Sequence, residues 1–120
     1  MVTTYLAGGL GNQIFQVSAA YNLAKKNNDI SEFNFNECHT PHQGFESFKY
    51  KDTIFKEFIH NPNIKIENVF TQKGHSFENI PYKKNLQLQG FFQSEKFFIE
   101  NKNDIVEKLI LGINFHRKLV

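Results

Sequence analysis

The residues most able to do chemistry stand near the start, in AGGLGNQIFQ at positions 7 to 16, where Gly8, Gly9 and Gly11 precede the amides Asn12 and Gln13. Glycine lets main chain approach another group closely and reach positive φ, but it costs order, so a cluster implies a local reason. Main-chain N–H groups at a strand-to-helix turn can converge on an anion, or let a sugar and its phosphate come close. A second polar group, Gln93, Ser94 and Glu95, lies in LQGFFQSEKFF at 88 to 98, and its carboxylate is a candidate base. Cys38, His39 and His42 form a third group. Their spacing is wrong for a zinc knuckle, and four ligands would require His60 or His75 to converge, so no metal is expected there.

Two familiar phosphate loops fail against the first motif. A dinucleotide fingerprint needs G-x-G-x-x-G, and counting from Gly9 and Gly11 places Ile14 at the third glycine, too bulky for close helix–strand packing. A Walker loop needs Gly-Lys-Ser/Thr, but Gly11 is followed by Asn12 and Gln13. Each polar residue also has a structural reading. Asn12 is placed to cap a helix, Ser94 likewise, and Glu95 would favour a helix N-terminus, with Phe91, Phe92, Phe97 and Phe98 as core around them.

The elements that must position these residues follow from periodicity. Val2 to Leu6 is a short β-branched run, the glycine loop comes next, and Asn12 to Lys26 is helical, with Ile14, Val17 and Tyr21 on one face and Phe15, Ala19 and Leu23 on a second. Apolar residues on most sides imply a helix packed between layers. A second strand is expected near Ser31 to Asn36, a turn at 40 to 44, partial helix over 45 to 60, and another short strand around Ile64, Ile66 and Val69. Asn85 to Phe92 alternates as a strand does, and Ser94 begins a turn or helix. Asp104 to Leu111 reads as the late helix, with Asp104 and Glu107 at capping-box spacing, an apolar stripe of Ile105, Val106, Leu109 and Ile110, and Gly112 ending it. Alternation of this kind predicts an α/β fold: a Rossmann-like, mostly parallel sheet with flanking helices, in which ligands gather at the carboxyl ends of strands.

Composition limits the function classes. The chain has 120 residues, enough for a single domain over 1–120 with a real core. Its 14 basic and 12 acidic residues are mixed along the chain, so no basic face for a phosphate backbone is evident and nucleic acid is not the expected partner. Lone Cys38 makes no internal disulfide, the start lacks signal-peptide character, and no window approaches a membrane span. A cytoplasmic chain is expected, with any peripheral attachment to a membrane made through another segment or a partner.

With those residues in view, GGLGNQIFQ after an N-terminal strand resembles the opening motif of the α-1,2-fucosyltransferase family, GGLGNQ-[LM]-FQ, with Ile14 where Leu or Met is usual. LQGFFQSEKFF resembles that family's Gly-Tyr-Phe-Gln-Ser-Glu-Lys-Tyr-Phe segment, with Phe91 and Phe97 in place of tyrosines. The resemblance runs from about residue 1 to 111 and is concentrated at the two motifs. It implies the N-terminal half of a GT-B glycosyltransferase that transfers L-fucose from GDP-fucose to the 2-hydroxyl of a galactoside with inversion, with no metal or other cofactor required. By that resemblance, Gly8, Gly9, Gly11, Asn12, Gln13, Gln93 and Ser94 would bind substrate, and Glu95 would be the base or an acceptor contact.

The family's donor motif, His-x-Arg-Arg-x-Asp, is absent. Arg117 is the only arginine, and with His116 beside it the spacing does not fit, so no guanidinium pair is present to fork around a diphosphate. The chain is therefore expected to be a piece that lacks the C-terminal donor-binding domain and is inactive alone, with a second chain as a possible source of that domain. Two other classes stand as alternatives. One is a dinucleotide-binding oxidoreductase module. The other is a small single-stranded nucleic-acid module, for which Gly90, Phe91 and Phe92 give a poor match to an RNA-binding strand.

Overall fold

The computed structural model describes residues 1–37 and 49–119, the last five of these by their backbone alone. Cys38, His39 and His42, the turn expected at 40–44, and the first part of the helix expected over 45–60 lie outside the described residues. Three parallel strands form the sheet: β1 (Val2–Thr4), β2 (Asn68–Thr71) and β3 (Leu86–Gln89), in the order β1-β3-β2. The register sets Val2 opposite Leu86 and Thr4 opposite Leu88, and Phe70 opposite Leu88 on the other side. One sheet face is thus Val2, Leu86, Leu88 and Phe70, and α1 (Leu10–Lys26) packs over it through Val17, Ala20 and Leu23.

The strand expected near Ser31 is reduced to two parallel bridges, Val2 with Ser31 and Phe33 with His60. Their backbone bonds extend the sheet beyond β1: Val2 N–H donates to Ile30 O at 2.9 Å, and Phe33 N–H donates to Ile59 O at 2.9 Å. From β1 the chain therefore passes to one side of the sheet and returns later on the other, so the winding direction reverses between β1 and β3. Phe33, Phe35, Phe55 and Phe58 fill the core beneath this edge, with Phe35 and Phe55 stacked at 5.0 Å and Phe33 and Phe58 meeting edge-on at 6.2 Å. The aromatic content is what lets so short a sheet bury a sizeable apolar volume.

Several expected boundaries move, each for a local reason. The first helix starts at Leu10, not Asn12, because Gly8 at φ +79° turns the chain early and Gly9 becomes the N-cap. Asn12 is therefore inside the first helical turn and does not cap. Residues 50–57 wind through turns where partial helix was expected, and Ile64 and Ile66 precede β2. Two 3-10 turns, Glu95–Phe97 and Ile99–Asn101, lead into α2 (Lys102–Leu119), which puts Asp104 within the helix, not at its cap. Gly112 does not end α2. It is buried inside it, where a Cβ would sit 2.2 Å from the Thr53 carbonyl oxygen, so the glycine permits contact between helix and turn. Of the expected apolar stripe, Ile105 is buried and Leu109 packs on the core, whereas Val106 and Ile110 remain exposed.

A polar clamp joins the helices at the end opposite the glycine loop. Asp104 accepts from the Tyr21 hydroxyl and from Lys25 Nζ, the latter at 2.6 Å, and Lys25 and Lys108 both lie over the Tyr21 ring. Lys25 and Tyr21 hold the Asp104 carboxyl below its ordinary value, while burial and then Asp104 push the Tyr21 phenol up. Nearby, the buried Asn22 carbonyl accepts from both N–H groups of Asn101, backbone at 3.0 Å and side chain at 2.9 Å.

Candidate functional site

Because β1 and β3 are neighbours and parallel, the loops that leave them emerge side by side at the carboxyl edge of the sheet. These are the two segments singled out from the sequence. The winding reverses between these strands, which is where open α/β sheets form their ligand crevice. The segment after β2, Gln72 to His75, opens at the same edge.

In the first loop each glycine has its own part. Gly8 lies in the left-handed region, and a Cβ there would meet Asn12 Nδ2 at 2.5 Å. Gly9 ends the loop as a cap without a side chain, so nothing on it covers the start of α1. At Gly11 an added Cβ would meet nothing within 4 Å: this glycine faces open space and leaves the first helical turn bare to an approaching group. No acidic side chain occupies that turn, so the positive end of the helix dipole is not offset there.

The amides divide between holding and facing outward. Gln13 is 0% exposed, and its Nε2 donates to Gly8 O at 3.0 Å, which pins the loop from beneath. Asn12 lies above, where its Oδ1 accepts from Gln93 Nε2 at 2.5 Å, so the two sequence motifs meet directly. Ser94 caps the following 3-10 turn by accepting from the Lys96 N–H at 3.3 Å. Glu95 is exposed and pairs with Lys102 Nζ at 2.5 Å. The structure thus brings Gly8, Gly9, Gly11, Asn12, Gln13, Gln93 and Ser94 together, with Glu95 at the rim.

Gln16 and Gln72 are additional residues that build the site. Gln16 is 1% exposed. Its Oε1 accepts from the Ala7 N–H and its Nε2 donates to Gly90 O, both at 3.1 Å, so one side chain ties the two loops. Its place at the end of GGLGNQIFQ was a signal, but its helical spacing read only as a continuation of α1. Gln72 Oε1 accepts from the Phe92 N–H at 3.0 Å and holds the second loop in an unusual shape: Gly90 has φ +152° and Phe92 φ +50°. A Cβ on Gly90 would come within 2.7 Å of Gln72 Cβ. Phe92 and Phe97 are buried as expected, whereas Phe91 is 45% exposed and not core.

Among the described residues no three His, Cys, Asp or Glu side chains converge as metal ligands. His60 is engaged in the fold, its Nδ1 accepting from the Phe35 N–H at 3.2 Å. His75 lines the carboxyl edge with Lys73. No helix among the described residues is long and apolar enough to cross a membrane.

No protein-family model matches the chain, and no solved structure matches it. Among curated proteins the chain is similar to an alpha-1,2-colitosyltransferase of Escherichia coli, at 30% identity over 127 residues that cover 89% of this chain and 44% of that protein. The relationship is to a glycosyltransferase, and the chain spans less than half the length of this relative.

Proposed function

We propose that the chain is the N-terminal, GT-B-type lobe of an inverting α-1,2-glycosyltransferase, transferring L-fucose from GDP-fucose to the 2-hydroxyl of a galactoside. The observation that carries this reading is the meeting of both motifs at the switch point, through the Asn12–Gln93 hydrogen bond and the Gln16 tie. The relative's name specifies α-1,2 transfer of colitose, and the motif resemblance implies α-1,2 transfer of fucose. The two agree on the linkage, and the fucosyl donor rests on the motifs.

In such a transfer the acceptor hydroxyl oxygen attacks the anomeric carbon on the face opposite the diphosphate. The carbon–oxygen bond to the diphosphate breaks, GDP leaves with the bond's electrons, and the hydroxyl proton passes to a base. Bare main chain at Gly9 and Gly11, at the positive end of α1, suits the developing charge of the leaving group. Asn12 and Gln93 hold each other and present amides that orient sugar hydroxyls without adding charge. Glu95 would have to release Lys102 to take the proton. A second lobe, in this chain's continuation or another chain, would supply the cations for the diphosphate.

The experiment pairs this chain with the C-terminal half of the related colitosyltransferase, or with its own genomic continuation, and measures transfer from GDP-fucose to lactose. Turnover that Gly11→Val abolishes without loss of fold supports the proposal. A folded, complete two-lobed protein that transfers neither fucose nor colitose to any galactoside sinks it.

A further inference from the structure

A cavity of about 390 Å³ opens between the carboxyl ends of the three strands, bounded by Tyr5, Thr71, Gln72, Gln89 and Phe91. Its volume falls in the range of small-molecule sites, roughly 300–1,000 Å³. Ala7 and Gln16, at the two ends of the first motif, carry its wall to the glycine loop, although Gly8, Gly9, Gly11 and Asn12 do not themselves line it. No charged side chain lines it; Lys73 and His75 line an adjoining cavity of about 300 Å³ that shares Gln72, Gly90 and Phe91 with it.

The sheet face leading into this cavity is unusual in chemistry. Parallel strands are commonly apolar on both faces. Here Thr3, Val69, Thr71, Gln87 and Gln89 share the face turned away from α1, as the register requires, and all but Val69 are uncharged polar residues. Three of them form a neutral ladder: Gln89 Nε2 donates to Gln87 Oε1 at 3.2 Å, and Thr71 Oγ1 donates to Gln89 Oε1 at 3.5 Å. At the mouth, Phe91 is 45% exposed while its neighbour Phe92 is fully buried. What sets this aromatic apart from the other exposed apolar residues is its place on the wall of a cavity otherwise lined by uncharged polar side chains and backbone. Gln72 Oε1 is occupied by the Phe92 N–H, which fixes that side chain and leaves its amide N–H groups as donors.

We propose that this cavity is a subsite for an uncharged saccharide ring, stacked on Phe91 and hydrogen-bonded by Thr71, Gln72 and Gln89. The ring's C–H face fits the aromatic surface and its hydroxyls fit amides that both donate and accept. A diphosphate finds no cation here. Because Ala7 and Gln16 carry the cavity wall up to the glycine loop, the ring it holds is a unit of the acceptor glycan beside the reacting centre. That last step rests on the glycosyltransferase reading; the chemistry of the cavity does not.

The test is saturation-transfer NMR on the chain with lactose, methyl β-D-galactopyranoside, maltose and GDP, each with wild type, Phe91→Ala, Gln89→Leu, Val69→Ala and Val106→Ala. A neutral glycoside should bind, and Phe91→Ala should weaken it about tenfold or more. Val69→Ala, on the same face but outside the cavity lining, should weaken it far less, while Val106→Ala on the exposed side of α2 should leave it unchanged. Gln89→Leu provides a second variant that does not remove the ring. The proposal is overturned if no neutral glycoside binds the folded chain, if both cavity variants bind as wild type does, or if GDP displaces the sugar. In the completed two-lobed protein the two readings separate. Sugar binding without any glycosyl transfer keeps the subsite and removes the transferase. Transfer with an unchanged KM for disaccharide acceptors in Phe91→Ala keeps the transferase and removes the subsite.

Discussion

Replacing Gln16 by alanine cuts two hydrogen bonds at once and leaves the Asn12–Gln93 bond to tie the loops that carry both motifs. Each bond contributes about 0.5–1.5 kcal/mol net, and a buried partner left unsatisfied costs about 1–3 kcal/mol. Ala7 and Gly90 are only half-buried, so water can reach part of what Gln16 releases, and the total falls at about 2–3 kcal/mol. That is a large share of a typical domain's stability of about 5–15 kcal/mol. Urea unfolding followed by circular dichroism reads the loss, and hydrogen exchange at the Ala7 amide reads its place. Gln16→Glu separates the two bonds. A carboxylate still accepts from Ala7 but opposes the Gly90 carbonyl, so its folded-state pKa should rise above the unfolded value of about 4.3. The penalty is then present above the raised pKa and shrinks as pH falls through it, since a protonated carboxyl donates again. A Gln16→Ala chain destabilised by less than about 0.5 kcal/mol, or a Gln16→Glu penalty equal at pH 5 and pH 8, would refute the clasp.

The glycines make sharper contrasts. Gly8→Ala combines positive φ with a 2.5 Å contact and should cost more than about 1 kcal/mol, while Gly11→Ala meets open space in a helix and should leave stability equal or raise it by up to about 1 kcal/mol. In the completed two-lobed protein Gly11→Ala should nonetheless lower transfer, which distinguishes a bare approach surface from a folding requirement. Gly112→Ala should destabilise by about 2 kcal/mol or more in urea despite better helix propensity, because the contact 2.2 Å away is backbone. Asp104 has a depressed folded pKa, so its clamp stabilises above the ordinary carboxylate value and loses that contribution as pH falls through the folded one. Asp104→Asn should therefore flatten the acid limb of a thermal-melt profile, and Tyr21→Phe should lower stability by about 0.5–1.5 kcal/mol.

The parts of the fold visible in the sequence are those that local rules decide. Leu86 and Leu88 alternate with Gln87 and Gln89, and the strand buries them in that order. Val2 to Thr4 and the helix through Lys26 follow from β-branching and a 3.6-residue period. Where tertiary contact overrides propensity, the reading shifts. Gly112 looks like a helix stop until the Thr53 carbonyl is placed against it, and Ser31 looks like part of a strand although only single bridges form. The candidate site was legible as two motifs but not as one place. Nothing local to residues 7–16 or 88–98 says that β3 lies beside β1; that neighbourhood depends on β2 taking the outer position. Gln72 was invisible for the same reason, since its role exists only after β2 and β3 pair.

Backbone strain points to the same edge independently of the motifs. Among the described residues, non-glycine positive φ occurs at Asn28, Asn85 and Phe92. Asparagine tolerates the left-handed region, and Asn28 and Asn85 lie in turns that need it. Phenylalanine does not tolerate it readily, and holding one there costs on the order of 1–3 kcal/mol. Phe92 is kept in place by its buried ring against Phe70 and Phe97 and by the Gln72 carbonyl on its N–H. The consequence of that strained turn is that Phe91 is turned out to solvent while Gln93 reaches Asn12. A relaxed turn at Phe92 would redirect both neighbours, so the shape of the turn and the proposed sugar contacts stand or fall together. Phe92→Gly, which adopts the same φ without strain, should keep Phe91 and Gln93 in place if φ sets them, and loss of both positions would assign them to the buried Phe92 ring instead.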